Sequence, residues 1–393
     1  MTSWQESSSA NMMNTFGPTQ ALLVSGEGAR VRDSDGKEYL DFLGGIAVNS
    51  LGHAHPAIVK TIAEQAASLM HVSNFFSSPP QLALAEKIKR ISGIGESGRV
   101  FFTNSGTEAN EAAFKLARKF GGEARPTILA LEKAFHGRSM GALALTAKEA
   151  YRAPFAPMLT GVQHIPATIE ALEAALDETV SALIIEPIQG EAGVLPLPEG
   201  YLQAARALTR ERGALLIIDE IQTGIGRTGE WFGFQSEDTL PDAFTLAKGL
   251  GGGFPIGALV TTGAASEIFT PGNHGTTFGG NPLGTAVAGT VIDEIESAAL
   301  LINVREREAQ LRASIAGLNS PLIAGVRGRG LLLGIALTAD IAPALAAEAL
   351  AAGLIVNAPN AATIRIAPPL NITSADVDAF VGILDGLLAA HTA

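Results

Sequence analysis

Three short segments of this chain carry side chains that could do chemistry together. In the first, Ser105, Gly106 and Thr107 form a polar turn at the start of a helix-like pattern, and the N–H groups of such a turn could hold a phosphate. In the second, Asp219 ends an apolar run, where a buried carboxylate needs a cation or hydrogen-bond donors. In the third, Lys248 ends a similar run, and burial there would make it a candidate for Schiff-base chemistry.

Each of these segments also has an ordinary structural explanation. Ser105 and Glu108 have the spacing of a helix-capping box. Asp219 could be a strand-end carboxylate that accepts hydrogen bonds from loop N–H groups. The methylene groups of Lys248 could pack against apolar residues while its amino group stays in solvent. Taken one at a time, the three segments leave these alternatives open.

The combination is more specific than its parts. Pyridoxal phosphate (PLP) needs a phosphate site, an anion at its pyridinium nitrogen and a lysine for covalent attachment. Asp219 would keep the ring nitrogen protonated, and Lys248 would hold the cofactor and then move the substrate proton. Phe135, which follows the apolar run Thr127–Leu131, could stack on the ring, although a phenylalanine there fits a plain core equally well. The sequence therefore predicts a PLP site.

Apolar runs that alternate with helical patterns must position these segments. Six runs of four to eight residues, bounded by Gly, Pro or charge, predict buried strands: Val100–Thr103, Thr127–Leu131, Ala182–Glu186, Ala214–Asp219, Ala243–Ala247 and Ala258–Thr262. Helix-like segments lie between several of them: Glu108–Phe120, Ile169–Leu176 and Gly200–Arg212. This alternation predicts an α/β fold with a large, doubly wound, mostly parallel sheet. Ligands of such sheets bind beyond the carboxyl ends of the strands.

The flanking segments have a different pattern. Residues 21–48 predict a small antiparallel unit with glycine turns. A long amphipathic segment from Ala286 toward Leu318 precedes three short strands and a closing helix through Leu388. The three strands are Leu331–Leu337, Leu354–Asn357 and Thr363–Ile366. We therefore expect an N-terminal segment 1–50 that joins a small α+β domain, a large PLP-binding domain 51–285, and a C-terminal small domain 286–393.

Composition and charge exclude several classes of protein. Hydrophobic residues make up 47% of the 393 residues and charged residues 17%, which excludes wholesale disorder. The absence of cysteine excludes disulfides, thiolate zinc sites and cysteine nucleophiles. With 27 basic and 39 acidic residues the net charge is −12, which argues against nucleic acid or an anionic membrane as a partner.

Neither a membrane span nor a metal site is expected. No stretch of about 20 uninterrupted apolar residues occurs, and the first twenty residues lack a secretory pattern, so we expect a cytoplasmic protein with small-molecule substrates. His53 and His55 lie two residues apart but have no third ligand nearby, which favours a structural role for the pair.

From about residue 21 onward the chain resembles the class III (ω-amino-acid) aminotransferases of fold type I. The resemblance is carried, in the expected order, by NSGTEAN (104–110), AFHGR (134–138), EPIQGEAG (186–193), DEIQ (219–222), KG (248–249), HGTTFGGNP (274–282) and IRIAPPL (364–370). Three further segments, GGIAVN (44–49), LGHAHP (51–56) and HVSN (71–74), are similar to the branch of the family that acts on N2-acetyl-L-ornithine. The resemblance implies a PLP-dependent transferase with a large doubly wound domain and a smaller α+β domain.

The resemblance also implies roles for further residues. Thr277 would reach the cofactor phosphate of a partner subunit, which implies a homodimer with shared active sites. Gln222 would form a hydrogen bond with the 3′-oxygen of the cofactor. Arg138 would bind the α-carboxylate of acetylornithine, and Arg365 the α-carboxylate of glutamate or 2-oxoglutarate. Glu191 would pair with Arg365 while the ω-amino substrate is bound.

The implied reaction moves the ω-amine of N2-acetyl-L-ornithine to 2-oxoglutarate. Its products would be N-acetyl-L-glutamate 5-semialdehyde and L-glutamate, a step of arginine biosynthesis. The chain departs from this branch at Phe16, Phe75 and Phe76, where members of the branch usually carry tyrosines, so the preferred donor stays open. Ornithine, succinylornithine, succinyldiaminopimelate and 4-aminobutyrate are the alternative donors.

Two alternatives come from other classes of protein. One is a non-catalytic PLP-binding regulator, against which Lys248 and Asp219 are both present and the segment before the motifs is too short for a DNA-binding module. The other is a Rossmann-type nucleotide enzyme that uses Gly251–Gly253, a run that lacks the G-x-G-x-x-G spacing.

Overall fold

Strands and helices alternate along the chain in the computed structural model, which describes residues 3–391. The strands are β1 (Leu23–Glu27), β2 (Arg30–Asp33), β3 (Glu38–Asp41), β4 (Arg99–Thr103), β5 (Thr127–Leu131), β6 (Val162–Ile165), β7 (Val180–Ile185), β8 (Ile188–Gln189), β9 (Leu195–Pro196), β10 (Leu215–Asp219), β11 (Ala243–Leu246), β12 (Gly257–Thr261), β13 (Ile323–Arg329), β14 (Leu332–Leu337), β15 (Leu354–Ile355), β16 (Asn357–Asn360) and β17 (Thr363–Ile366).

The helices connect and cover these strands. They are α1 (Trp4–Asn11), α2 (Gly44–Ala47), α3 (Pro56–Ser68), α4 (Pro79–Ser92), α5 (Gly106–Gly121), α6 (Met140–Leu145), α7 (Glu149–Arg152), α8 (Ile169–Ala175), α9 (Tyr201–Arg212), α10 (Pro282–Ser297), α11 (Leu300–Gly317), α12 (Ala342–Ala351) and α13 (Ser374–Ala390). Short 3-10 helices lie at Ala153–Phe155, Gly233–Glu237, Lys248–Leu250 and Gly263–Glu267.

Seven strands form the central sheet, in the order β4-β12-β11-β10-β7-β5-β6. β12 runs antiparallel to both of its neighbours, and the pairs from β11 to β6 are parallel. The six predicted central strands all form, each end within two residues of its predicted position, so the mostly parallel α/β sheet is confirmed. β6 was not predicted, because this edge strand is only partly buried and carries polar residues at 163 and 164.

Both faces of the central sheet are buried. Along β7, Leu183 and Ile185 belong to one apolar cluster, whereas Ala182 and Ile184 belong to another, which also contains Ala113 of α5. Alternate side chains of a strand point to opposite faces, so apolar layers cover the sheet on both sides. This burial explains why the central strands are continuous apolar runs.

The flanking parts form smaller sheets. β1, β2 and β3 form the predicted antiparallel unit, and β15 pairs in parallel with β3, which joins the N-terminal segment to the C-terminal part of the chain. The sheet β13-β14-β17-β16 lies in the C-terminal part. β13 was not predicted, since its glycines at 325 and 328 interrupt the apolar pattern.

Two C-terminal expectations were wrong in detail. The predicted amphipathic segment from Ala286 toward Leu318 is two helices, because the chain turns at Ala299, whose φ is +51°. The predicted strand Leu354–Asn357 divides into β15 and β16, which join different sheets. The predicted domain boundary at 285/286 falls inside α10, and the division into 1–50, 51–285 and 286–393, whose outermost residues lie outside the described range, stays a prediction.

Among residues 3–391, no helix is long and apolar enough to cross a membrane. Within the same range, no group of three or more His, Cys, Asp and Glu side chains could hold a metal ion. His53 instead contacts a carboxylate, with Nε2 2.8 Å from Asp41 Oδ2. Its neighbour His55 lies 4.0 Å from Glu294.

Candidate active site

The loops that follow the central strands enclose a cavity of about 470 Å³. Adjacent parallel strands end at the same edge of a sheet, so residues far apart in sequence meet there. Eight of the predicted site residues line the cavity: Ser105, Gly106, Thr107, Phe135, Arg138, Asp219, Gln222 and Lys248. Glu191 and Arg365 lie beside it, through contacts described below, and Thr277 does not line it.

At one side of the cavity α5 begins at Gly106, with Ser105 as its N-cap. Ser105 Oγ accepts a hydrogen bond from the backbone N–H of Glu108 at 3.3 Å. The capping box is only half formed, because the Glu108 carboxylate accepts from the backbone N–H of Asn104, at 2.8 Å, and not from that of Ser105. The N–H groups of Gly106 and Thr107 belong to the first helical turn, which has no acceptors within the helix. They give this side of the cavity the character of an anion site.

The hydroxyl of Thr107 holds a neighbouring turn of the protein. Thr107 Oγ1 accepts from the backbone N–H groups of Arg138, at 3.0 Å, and Ser139, at 2.9 Å. The turn needs glycine at position 137, whose φ is +139° and where a Cβ would lie 2.5 Å from Thr107 Oγ1. The start of α5 and the backbone of Arg138 are therefore fastened together.

Asp219 lies at the carboxyl end of β10 and is 4% exposed. Its Oδ2 is 2.7 Å from His136 Nδ1 and accepts from Asn110 Nδ2, also at 2.7 Å. Its Oδ1 accepts from the backbone N–H of Ile221 at 3.0 Å. Loop N–H groups thus supply only one of its partners, and two buried side chains supply the others.

His136 and Asn110 are site residues to which sequence reasoning assigned no role. Burial disfavours the imidazolium form of His136, but the hydrogen bond and the negative charge of Asp219 outweigh burial and raise the pKa of the histidine. Asn110 also donates to the carbonyl oxygen of His136 at 2.7 Å. Both residues lie in motifs that carry the family resemblance, NSGTEAN and AFHGR. Their place in these motifs was the only sequence signal that they belong to the site.

Lys248 lines the cavity at the end of β11, where the chain enters a short 3-10 helix. Burial lowers the pKa of its amino group to about 8, although the charge of Glu191 acts in the opposite direction. At pH 7 about a tenth of a group with this pKa is uncharged, against less than about a thousandth of an ordinary lysine, and the uncharged form is the one that attacks a carbonyl.

A third residue to which sequence reasoning assigned no role, Glu186, also lines the cavity. Its Oε1 accepts from the backbone N–H of Phe135 at 3.0 Å, which fixes the start of the segment that carries the phenyl ring. Burial raises the pKa of the Glu186 carboxyl well above its usual range.

The predicted pair of Glu191 and Arg365 is formed. Glu191 Oε1 lies 2.6 Å from an Arg365 terminal nitrogen and accepts from Gln222 Nε2 at 3.1 Å. Burial would raise the pKa of Glu191, but the Arg365 guanidinium outweighs burial and lowers it. Gln222 Oε1 is buried and has no hydrogen-bond partner among the described residues.

Arg138 and Thr277 lie at the margins of the site. Arg138 is exposed, and its guanidinium carbon lies 3.6 Å from the centroid of the Tyr151 ring. Thr277 is exposed on a loop that Asn104 contacts through a 3.3 Å hydrogen bond to Thr276 Oγ1. Thr277 thus follows the residue that Asn104 contacts, but it lies outside the cavity of its own chain.

Comparison with known proteins identifies the family. The family model of class-III aminotransferases matches residues 12–388. The chain belongs to the class III aminotransferases. Among curated members, an acetylornithine aminotransferase of Streptomyces coelicolor is 52% identical over 99% of this chain and 96% of its own length. An acetylornithine aminotransferase of Mycobacterium tuberculosis is 50% identical over 98% of this chain and 95% of its own.

Solved structures of aminotransferases share the fold. An N-acetylornithine aminotransferase from Stenotrophomonas maltophilia superposes with a TM-score of 0.84 at 37% identity, covering 96% of this chain and 98% of that one. An ornithine aminotransferase from Toxoplasma gondii has a TM-score of 0.93 at 30% identity, covering 98% and 94%. Membership of the aminotransferase family shows that the Rossmann-type alternative is wrong, and the full-length match to enzymes shows that the non-catalytic alternative is wrong.

Class III aminotransferases use PLP, and the residues of this cavity fit it. An anion site at the start of α5, the buried Asp219 carboxylate and Lys248 are the groups that the cofactor requires, and all line one cavity. Gln222 Oε1 is a buried polar atom that a bound group could satisfy.

Proposed function

We propose that this class III aminotransferase transfers the ω-amine of N2-acetyl-L-ornithine to 2-oxoglutarate, giving N-acetyl-L-glutamate 5-semialdehyde and L-glutamate. The observation that carries the proposal is the 52% and 50% identity, over nearly the whole chain, to relatives named acetylornithine aminotransferase. The Glu191–Arg365 pair supports it, because an enzyme with such different substrates must bind a carboxylate in one half-reaction and an uncharged chain in the other.

Different residues of the cavity would bind different parts of the cofactor. PLP supplies an electron sink for the carbanion formed beside the substrate nitrogen. Ser105, Gly106 and Thr107 would hold the phosphate through N–H groups and the Ser105 hydroxyl, and Phe135 would contact the ring. Gln222 would bind the 3′-oxygen.

Asp219 and Lys248 act on protons. Asp219 would hold the proton on the ring nitrogen, and His136, whose Nδ1 lies 2.7 Å from Asp219 Oδ2, fixes the position of the carboxylate. Lys248 would attach the cofactor, and its Nζ, when free of that bond, would take the proton from the amine-bearing carbon of the substrate and deliver it to C4′ of the cofactor. A pKa of about 8 suits a group that must do both.

Substrate recognition is assigned to three charged residues. Arg138, supported on Tyr151, binds the α-carboxylate of acetylornithine. While the donor is bound, Glu191 pairs with Arg365, so that the aliphatic ω-end of the donor does not meet a free guanidinium. When Glu191 moves aside, Arg365 binds the α-carboxylate of 2-oxoglutarate or glutamate.

We also propose a homodimer in which Thr277 reaches the cofactor phosphate of the partner subunit. Large exposed apolar side chains support an interface: Phe16 is 97% exposed, Phe75 91%, and Phe278, next to Thr277, 60%. The cytoplasm and arginine biosynthesis are the proposed setting.

The proposed attachment by Lys248 predicts a pH dependence. In the PLP-free protein, the rate constant for PLP attachment should rise with pH and level off above about 8, because the uncharged amine is the reactive form and its pKa is lowered to about 8. An ordinary lysine would give a rate that still rises near about pH 10. Stopped-flow absorbance measures this rate; a profile that still rises at the higher value contradicts the assignment.

The proposed switch predicts unequal effects of Glu191→Gln. Without the carboxylate Arg365 stays unmasked, so kcat/KM for acetylornithine should fall about tenfold, while the KM for 2-oxoglutarate changes by less than about threefold. Steady-state kinetics with each substrate varied in turn measures both. Glu199→Gln, at an exposed position, is the matched control. Equal losses for both substrates would argue against the switch.

A donor panel tests the proposed reaction. Glutamate formation from 2-oxoglutarate is measured with acetylornithine, ornithine, succinylornithine, succinyldiaminopimelate and 4-aminobutyrate, and the kcat/KM values are compared. The proposal requires the highest value for acetylornithine. A higher value for ornithine would favour the activity named for the Toxoplasma gondii structure.

A further inference from the structure

The loop that carries Glu191 is held from the C-terminal sheet by two side chains. Arg327, on β13, donates from Nε to the carbonyl oxygen of Gly193 at 2.8 Å. Asn360, at the end of β16, donates from Nδ2 to the carbonyl oxygen of Ala192 at 3.0 Å. The two carbonyl groups that directly follow Glu191 are therefore fixed to one sheet.

The same sheet carries Arg365. Arg327 also donates from a terminal nitrogen to Thr363 Oγ1 at 2.7 Å, and Thr363 begins β17, the strand of Arg365. Arg365 Nε in turn donates to Asn357 Oδ1, on β16, at 3.0 Å. The arginine and the backbone of the loop that bears its carboxylate partner are thus attached to one rigid element.

The local sequence of the loop fits this attachment. Gly193 has a φ of +108°, and a Cβ there would collide with Asn360 Nδ2. Only glycine allows both this backbone conformation and the close approach.

The side chain of Glu191 nevertheless has room to move. Glu191 and Ala192 line a second cavity of about 320 Å³, together with Asn360 and Tyr151. The backbone beside Glu191 is fixed, while space adjoins its side chain.

We propose that Arg327 and Asn360 are positioning residues that confine the movement of Glu191 to its side chain, and that they thereby keep donor and acceptor recognition separate. The proposal rests on the proposed function, since it takes Arg365 to be masked for the donor and open for the oxo acid. With the backbone free, Glu191 would leave Arg365 more readily, and the masked form that the donor needs would be depleted.

The test uses the holoenzyme with Arg327→Met and, separately, Asn360→Ala, the latter at an exposed position where misfolding is not expected. Arg312→Met is the matched control. Arg312 also donates to backbone carbonyls of β13, those of Val326 at 2.8 Å and Gly328 at 2.7 Å, but it lines neither cavity. Arg327→Lys, which keeps one charged donor, should restore part of the wild-type behaviour.

Two measurements decide the proposal. Hydrogen exchange followed by mass spectrometry should show amides 190–194 exchanging about threefold to tenfold faster in both variants but not in the control. In single-turnover half-reactions, the acetylornithine concentration for half-maximal rate should rise by a similar factor, while that for 2-oxoglutarate changes less than about twofold. Unchanged exchange, or equal shifts for both substrates, would overturn the proposal.

The two proposals can fail independently. If the wild-type enzyme prefers another amine, that amine replaces acetylornithine in the comparison, and the exchange measurement does not depend on the donor. Failure of the proposed donor therefore leaves the test of Arg327 and Asn360 intact.

Discussion

Replacing Lys248 with alanine is expected to lower the rate of transamination by roughly 10⁴-fold. The residue has two roles in the proposed mechanism, since it attaches the cofactor and moves the substrate proton, and no other lysine lines the cavity among the described residues. The expected loss is therefore at the upper end of what one acid–base group contributes. Steady-state turnover with saturating acetylornithine and 2-oxoglutarate measures it.

The Lys248→Ala variant should still bind PLP without a covalent bond, because the phosphate and ring sites remain. Equilibrium dialysis separates this loss of chemistry from a loss of cofactor. Lys60→Ala is the control, since Lys60 is exposed and its ion-pair contact is with Glu64 one helical turn away. Turnover close to wild type in Lys248→Ala would refute the assignment of the catalytic lysine.

Asp219→Asn is expected to lower the rate roughly 100- to 1,000-fold while the fold is kept. The amide has nearly the same shape, but it no longer supplies the negative charge that holds a proton on the ring nitrogen. His136 loses the same charge, and with it the interaction that raises its pKa. Rates and the absorbance of the bound cofactor across pH measure both consequences.

Glu220→Gln is a matched control for Asp219→Asn. Glu220 is the next residue and also a buried carboxylate, but it accepts hydrogen bonds from the N–H groups of Gly233 and Phe234, both at 2.9 Å. Burial raises the pKa of the Glu220 carboxyl to about 7, although these hydrogen bonds act in the opposite direction. A similar loss of rate in both variants would indicate a general effect of buried charge and contradict a specific role for Asp219.

The sequence predicted the central strands because burial on both faces makes them continuous apolar runs. It also predicted the ends at which Asp219 and Lys248 stand, since a charged residue at the end of such a run is visible locally. The edge strand β6 and the division of residues 286–318 into two helices were missed, because one is half exposed and the other depends on a single positive φ at Ala299.

The partners of the site residues were less accessible. His136 and Asn110 lie 83 and 109 residues from Asp219, and no local pattern links them. The pairing of Glu191 with Arg365, 174 residues apart, came only from the family resemblance. The hydroxyl of Thr107 shows a further limit: a polar residue at a helix start can serve a ligand or a neighbouring turn, and only the tertiary contacts with Arg138 and Ser139 show that it holds the turn.

The most direct test of the proposed reaction is the visible absorbance of the purified holoenzyme, followed while acetylornithine is added without an oxo acid and, in a second sample, while free ornithine is added. We predict that the absorbance band of the lysine-bound cofactor disappears at low concentrations of acetylornithine and that far more ornithine is needed. A band that acetylornithine leaves unchanged, while ornithine or another amine removes it, would contradict the proposed donor.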